Sequence, residues 1–267
     1  MKNKNTSNMD VVILCGGEGS RFLEETEFKP KPMIKIGDKP ILWYIMKLYS
    51  YYGFNRFILS LGYKSEVIKK YFFDYQFVNR DFKLDFNSSE KIEYLQASDE
   101  KDWEVLCVDT GEKALKGARI KRIEEYIQTN NFHLTYGDGV GNVNLNYLSY
   151  FHRAHKKIGT VTSVRPPSRF GELTIDKNNN VKELKEKSQM GEGIINGGFF
   201  IFNKKIFSYL NSDDDCDFEF GALQNIVNQR ELRSYEHNGF WQCMDNKRDK
   251  LFLDNLIKNN QAPWVVW

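Results

Sequence analysis

No apolar stretch in this sequence approaches the ~18 residues needed to cross a bilayer, which excludes a helical membrane span. The opening Met1-Lys2-Asn3-Lys4-Asn5-Thr6-Ser7-Asn8 lacks the apolar centre of a signal segment and reads as a frayed tail over residues 1–9. Cysteine is scarce. Cys15, Cys107, Cys216 and Cys243 lie far apart with no C-x-x-C pair, as expected of reduced, mostly buried thiols in a cytoplasmic protein. A charge excess is also missing: 38 basic and 36 acidic residues leave +2, and their interleaving argues against nucleic acid as a partner. His152 and His155 lack a third ligand nearby, so a solvated helix face is preferred to a metal site. No repeat, low-complexity tract or linker divides the chain, which favours one elaborated domain over residues 10–267.

What remains is an ordinary globular balance, 41% hydrophobic and 28% charged, with a high 15% of aromatics to fill a core. Val11-Val12-Ile13 reads as a buried strand. A helix is expected to start at Asp38-Lys39-Pro40, with Asp38 a possible cap, and to bury Ile41, Ile45, Leu48 and Tyr49 before stopping at Gly53. Phe57–Leu61 is the next buried strand, and Lys64–Tyr75 the next amphipathic helix. Irregular edge structure is expected over 82–104, then a strand at Val105–Val108, a helix over Ala118–Ile127 and a strand at Phe132–Tyr136. This alternation predicts an α/β fold: a Rossmann-like, mostly parallel mixed sheet flanked by helices. A helix over Leu145–Lys157 and a strand at Thr160–Val164 follow, and the texture then shifts to shorter strands beyond Gly171. A helix over Phe220–Gln229, a strand at Leu232–His237 and a last helix over Lys247–Lys258 complete the chain.

Chemistry concentrates where strands end. Leu14-Cys15-Gly16-Gly17-Glu18-Gly19-Ser20-Arg21 follows the first strand, and its glycines let consecutive N–H groups close on a phosphate. It lacks the third glycine of a dinucleotide fingerprint and the Gly-Lys-Ser/Thr of a Walker loop, so a plain tight turn is the alternative. Asp138, between Gly137 and Gly139, is either a turn residue or a carboxylate for a hard cation such as Mg²⁺. Asp245 is a second candidate carboxylate or the N-cap of the last helix. Arg21, Lys31 and Lys187 are candidate counter-charges or solvated surface charges, with Lys31 pre-oriented by Pro30 and Pro32. Asn196-Gly197-Gly198 is a turn or a place where a sugar hydroxyl meets bare backbone.

These motifs together resemble the sugar-1-phosphate nucleotidyltransferases. The loop from Leu14 to Arg21 is similar to that family's Gly-Gly-x-Gly-Thr/Ser-Arg loop, and Lys29-Pro30-Lys31-Pro32-Met33 to its lysine motif. Its cytidylyl branch is suggested by Val108-Asp109-Thr110-Gly111, Thr135-Tyr136-Gly137-Asp138-Gly139-Val140 and Arg169-Phe170-Gly171. Ile195-Asn196-Gly197-Gly198, Gly239-Phe240-Trp241-Gln242 and Met244-Asp245 continue the match. The resemblance implies the nucleotide-diphospho-sugar transferase type of fold. In it, residues of about 10–165 bind nucleotide, about 166–245 bind sugar phosphate, and about 246–267 form a C-terminal helix and tail.

The activity implied is transfer of a cytidylyl group from CTP to a sugar 1-phosphate, foremost glucose 1-phosphate, for cell-surface polysaccharide or deoxysugar synthesis. By resemblance, Leu14 to Arg21, Lys31, Thr110, Arg119 and Gly137 bind nucleotide. Lys187, Asn196 and Gly197 bind sugar phosphate, Asp138 and Asp245 hold Mg²⁺, and Arg21, Lys31, Asp138 and Lys187 are catalytic. A homo-oligomer is also implied. Ser188 stands where the family usually has proline, and Cys243 in Gln242-Cys243-Met244 replaces another. The same chemistry with another nucleoside triphosphate such as UTP or GTP, or with another phosphorylated sugar or alcohol, a non-catalytic regulatory relative, and an NAD-dependent dehydrogenase are the competing readings.

Overall fold

The computed structural model describes residues 9–86, 92–166, 172–177, 179–185 and 193–267. Strand β1 (Val11–Leu14) is four consecutive buried apolar residues, as a strand covered on both faces requires. Helix α1 (Ile41–Tyr51) leads to β2 (Arg56–Leu61), and α2 (Ser65–Phe73) leads to β3 (Glu104–Asp109). Helix α3 (Lys116–Arg122) precedes β4 (Asn131–Tyr136). β1 pairs in parallel with β2 on one side and β4 on the other, and β3 extends the sheet in parallel beyond β2. Parallel neighbours need crossovers, and the helices supply them.

A short strand β5 (Gly139–Gly141), helix α4 (Leu145–His155) and β6 (Gly159–Val164) follow. Then come β7 (Ile195–Asn196), β8 (Phe200–Asn203), β9 (Leu232–His237), β10 (Trp241–Cys243) and helix α5 (Lys247–Lys258). β8 joins antiparallel to β4, and β6 pairs antiparallel with β8 and parallel with β9. The main sheet is therefore mixed and mostly parallel, with strands from both the expected nucleotide and sugar-phosphate parts.

Side-chain alternation divides the core. Val11 and Ile13 face the layer with Ile45, Tyr49, Leu148 and Leu253, whereas Val12 and Leu14 face Ile120, Ile123 and Phe218. Trp264 is buried in the first layer, edge-on to Tyr44 and stacked on Phe240, so the end of the chain contributes to the core. Met9, expected in the frayed tail, also packs on this core.

Local expectations needed correction in several places. Pro40, not Asp38, precedes α1, and no side chain caps it; Lys39–Pro40 instead pairs with Lys35–Ile36 around Gly37 at φ 67°. Helix α3 ends at Arg122 and continues as a 3-10 turn over Glu124–Tyr126, shorter than Ala118–Ile127 suggested. The helix expected over Phe220–Gln229 opens as a π-helical turn, Phe218–Leu223, before Gln224–Asn228.

The histidine face of α4 is not solvated. His152 is buried, and its Nδ1 and His155 Nε2 both lie 2.8 Å from Thr160 Oγ1 on β6. His133 on β4 is fully buried against Ser149. Burial, with neighbouring positive charge, lowers the pKa of His133 to about 3 and of His152 to about 4. Both are neutral in the folded chain and take up protons only on unfolding, whose ordinary histidine pKa is ~6.5. Stability is thus intact above that value and falls as pH drops toward the folded values. Thermal unfolding followed by circular dichroism should give a Tm that declines from pH 6.5 to 5, as each histidine removes up to about 1.4 kcal/mol of stability per pH unit. A flat profile over that interval would contradict it.

Candidate active site

The loop after β1 is fixed by backbone contacts to β2 and its following turn. Cys15 N donates to Ser60 O at 2.9 Å, and Tyr63 N to Gly16 O at 3.1 Å. Gly19, at φ 66°, turns the chain into a 3-10 turn over Ser20–Phe22, and Thr26 Oγ1 donates to the carbonyls of Gly19 and Phe22. Leu14 and Cys15 point into the protein: Leu14 joins the core, its carbonyl accepts from Gly137 N, and burial pushes the Cys15 thiol well above its usual pKa. These two residues can offer a ligand backbone at most. Gly17, Glu18 and Ser20 form the exposed part. The backbone of Arg21 lies in the 3-10 turn.

Arg119 lies directly against the loop. A Cβ on Gly16 would sit 2.0 Å from its Nη1, and one on Gly62 would sit 2.1 Å from the same atom. Bare backbone at both positions leaves room for the guanidinium. It donates to Leu61 O at 3.0 Å, Thr110 Oγ1 at 3.2 Å and Glu112 O at 2.9 Å. Thr110 in turn donates to Leu61 O at 2.6 Å. Burial pulls the pKa of Arg119 below its ordinary value, yet guanidinium remains charged at neutral pH. Gly16, Thr110 and Arg119 are therefore one contiguous unit.

Lys31 is the centre of a second unit. Pro30 and Pro32 hold it in a short 3-10 turn, and its side chain is drawn into the protein, leaving the residue 9% exposed. Its Nζ lies 2.8 Å from Asp138 Oδ2 and 2.5 Å from Asp245 Oδ1. Asp138 sits just beyond β4, at the carboxyl edge where open α/β sheets take ligands. Pairing of β5 with β10 and a 2.8 Å bond from Met244 N to Asp138 O bring the two aspartates together. Gly137 is required there by close approach, since a Cβ would be 2.8 Å from Pro32 Cγ and 2.9 Å from Leu14 O.

The cap of α5 is Asn246, whose side chain accepts from Asp249 N, so Asp245 is not the N-cap. Burial alone would lower the pKa of Lys31, but the two carboxylates outweigh it and raise the pKa. Cys243 Sγ lies 3.5 Å from Asp245 Oδ2, and burial, with those aspartates, pushes its thiol up to about 12. It is a protonated neighbour, not a nucleophile.

Asn196 and Gly197 form a third unit. Asn196 donates to Tyr136 OH at 3.3 Å and accepts from Gly198 N at 2.9 Å, while Trp241 Nε1 donates to Gly197 O at 2.8 Å. The turn is conformationally demanding, with Gly198 at φ 73° and the buried Phe199 at φ 45°, a left-handed value seldom adopted by a bulky side chain. Tyr136, whose hydroxyl donates to Glu219 at 3.0 Å, links this turn to the strand carrying Asp138. Tyr136 and Trp241 lie within motifs quoted from the sequence but were given no site role there; their places one residue before Gly137 and four before Asp245 were the available signals. Lys187, Ser188 and Arg169-Phe170-Gly171 lie outside the described residues.

The geometry can be compared with known proteins. The family model described as nucleotidyl transferase matches residues 10–245. A glucose-1-phosphate cytidylyltransferase of Salmonella typhimurium is 42% identical over 260 residues, 97% of this chain and 100% of that protein. A probable glucose-1-phosphate cytidylyltransferase of Bacillus subtilis is 42% identical over 259 residues, with the same coverage of 97% and 100%. Among solved structures, HddC from Yersinia pseudotuberculosis complexed with GMP-PN superposes with a TM-score of 0.64 at 24% identity, over 93% of this chain and 99% of that one. UDP-glucose pyrophosphorylase complexed with UDP-glucose superposes with a TM-score of 0.65 at 15% identity, over 94% and 99%. The last two are likenesses of fold, to nucleotidyltransferases of the nucleotide-diphospho-sugar transferase type. With the family match spanning every strand of the main sheet and both aspartates, this chain belongs to the nucleotidyl transferase family.

Proposed function

We propose that this enzyme transfers a cytidylyl group from CTP to glucose 1-phosphate, releasing pyrophosphate and CDP-glucose. The observation that carries this reading is the 42% identity to glucose-1-phosphate cytidylyltransferases over their full length. The attacking group is a phosphate oxygen, which is already anionic and needs no general base, so catalysis reduces to positioning and charge neutralisation.

Nucleotidyltransferases generally use a divalent metal. Asp138 and Asp245 suit Mg²⁺, because oxygens of both lie within 2.8 and 2.5 Å of a single nitrogen and thus converge on one point. Among the described residues no cluster of three or more His, Cys, Asp or Glu could hold a metal. A hard cation that draws its other ligands from triphosphate and water needs no more. When bound, Mg²⁺ supplies positive charge against the α-phosphate oxygens. The chain's own residues do the rest. Backbone from Gly17 to Ser20 cradles the phosphates, and Arg21 and Lys31 offset charge on the departing pyrophosphate. Arg119 and Thr110 back the nucleotide side, and Lys187, Asn196 and Gly197 hold the sugar phosphate.

Among the described residues no helix is long and apolar enough to cross a membrane. Four free thiols support the cytoplasm as the compartment. We also propose a homo-oligomer, supported by Phe73 at 82% and Phe86 at 91% exposure, with Phe82, Leu84, Ile92 and Leu95 also exposed. A monomer by light scattering at micromolar concentration would contradict it.

Pyrophosphate release from four nucleoside triphosphates against several sugar 1-phosphates, with Mg²⁺, tests the activity. CTP with glucose 1-phosphate should give the highest kcat/KM; a preference for UTP or GTP would replace the nucleotide assignment, and no turnover with any pair would support a non-catalytic relative. Asp138→Asn should lower kcat by about 10²–10³-fold while unfolding stays cooperative. Gly16→Ala should raise the KM for CTP by about tenfold, about 1.4 kcal/mol, because the added methyl displaces Arg119. An unchanged KM for CTP would remove that pair from the nucleotide site.

A further inference from the structure

We propose that Lys31 is the resident cation of the metal site. In the nucleotide-free enzyme its ammonium holds Asp138 and Asp245 together and excludes free divalent metal, which then enters only with the triphosphate. The proposal rests on the reading that these two aspartates take the metal.

Three observations carry it. The ammonium is central to the pair, within 2.8 Å of Asp138 Oδ2 and 2.5 Å of Asp245 Oδ1. Mg²⁺ or Mn²⁺ approaches carboxylate oxygens to about 2.0–2.2 Å, so it would need the space and the lone pairs that Nζ now uses. Two positive centres so close in a partly buried pocket repel each other strongly. Second, the arm is held at its base. Met33 N donates to Pro30 O at 2.8 Å and Ile34 N to Lys31 O at 3.1 Å, so the backbone cannot withdraw and only side-chain torsions can move the ammonium. Third, the side chain of Lys31 is 11% exposed against 29% and 20% for the two aspartates, so the ammonium cannot turn to bulk water at little cost.

A triphosphate changes that balance. Its oxygens offer the ammonium a second set of anionic partners, and a metal already coordinated to phosphate can replace it between the carboxylates. Metal and nucleotide binding are then coupled through one side chain, and each must tighten the other by the same factor. Lys31 acts on the metal as a positioning residue, in addition to its proposed role toward phosphate.

Equilibrium dialysis of the full chain against Mn²⁺ tests this without any turnover. Wild type should bind Mn²⁺ at least about tenfold more weakly without nucleotide than with CTP present. Lys31→Met should bind Mn²⁺ alone at least about tenfold more tightly than wild type does. Mn²⁺ alone should also raise the Tm of that variant and leave the wild-type Tm unchanged. Lys31→Gln, which keeps a hydrogen-bond donor between the carboxylates, replaces the methionine variant if that one does not fold. Adding Asp138→Asn to either variant should abolish the gain, which places the bound ion at this pair.

Wild type binding Mn²⁺ equally well with and without CTP would overturn the proposal, even if no variant folds. A Lys31 variant gaining no affinity, while wild type with CTP still binds one ion, would also overturn it and leave the metal site standing. No binding by any form, even with CTP, would remove the metal-site reading and the proposal together.

Discussion

Three parts of the chain meet at one ammonium group. Lys31 comes from a proline-bounded turn, Asp138 from just beyond the end of a central strand, and Asp245 from the residue before the cap of the last helix. Two carboxylates brought this close repel each other unless a cation lies between them, and removing a partner from such a partly buried group typically costs several kcal/mol. The three groups are therefore assembled around a positive charge. Everything else in the fold serves to deliver these groups to the same edge of the sheet.

That delivery depends on β1. As an interior strand of the parallel part, paired directly with β4, it sets the height at which the loop after it and the Gly137-Asp138 turn after β4 emerge side by side. The 3.1 Å bond from Gly137 N to Leu14 O locks those two exits together. Gly16 and Gly62 then open a slot for Arg119, and Gly137 lets Pro32 approach, which carries Lys31 to its place. Glycine serves two purposes here: bare space for a neighbouring side chain at Gly16, and a left-handed turn at Gly19. The Arg119 and Lys31 units thus share a backbone frame, while the Asn196 turn joins it through Tyr136.

Much of this was legible in the sequence because it depends on local pattern. Apolar runs such as Val11–Ile13 and Phe57–Leu61 announce buried strands, and the glycine-rich stretch marks where the chain leaves the first one. Lys31, Asp138 and Asp245 were identifiable as candidates, but not their mutual contact, since strand pairing between Gly139–Gly141 and Trp241–Cys243 spans about a hundred residues. Features decided by tertiary packing were misread or missed. His152 and His155 have the spacing of a solvent-facing pair, yet Thr160 on β6 draws both inward. Asp38 has the chemistry of a cap, but the Lys35–Pro40 ladder sets the entry to α1. Asn246 caps α5 in place of Asp245, a one-residue shift that frees the aspartate from a purely structural role in starting the helix. Phe199 adopts its left-handed φ between the strands Ile195–Asn196 and Phe200–Asn203, and nothing local in its sequence announces that.

The most direct measurement is the position of a bound metal. Crystals grown with Mn²⁺ and CTP, with diffraction recorded at the manganese absorption edge, would locate the ion by its anomalous signal. Anomalous density within coordination distance of both Asp138 and Asp245, with Lys31 Nζ moved onto a phosphate oxygen, is the predicted result. Manganese bound to the triphosphate away from those aspartates, with Lys31 still between them, would contradict it.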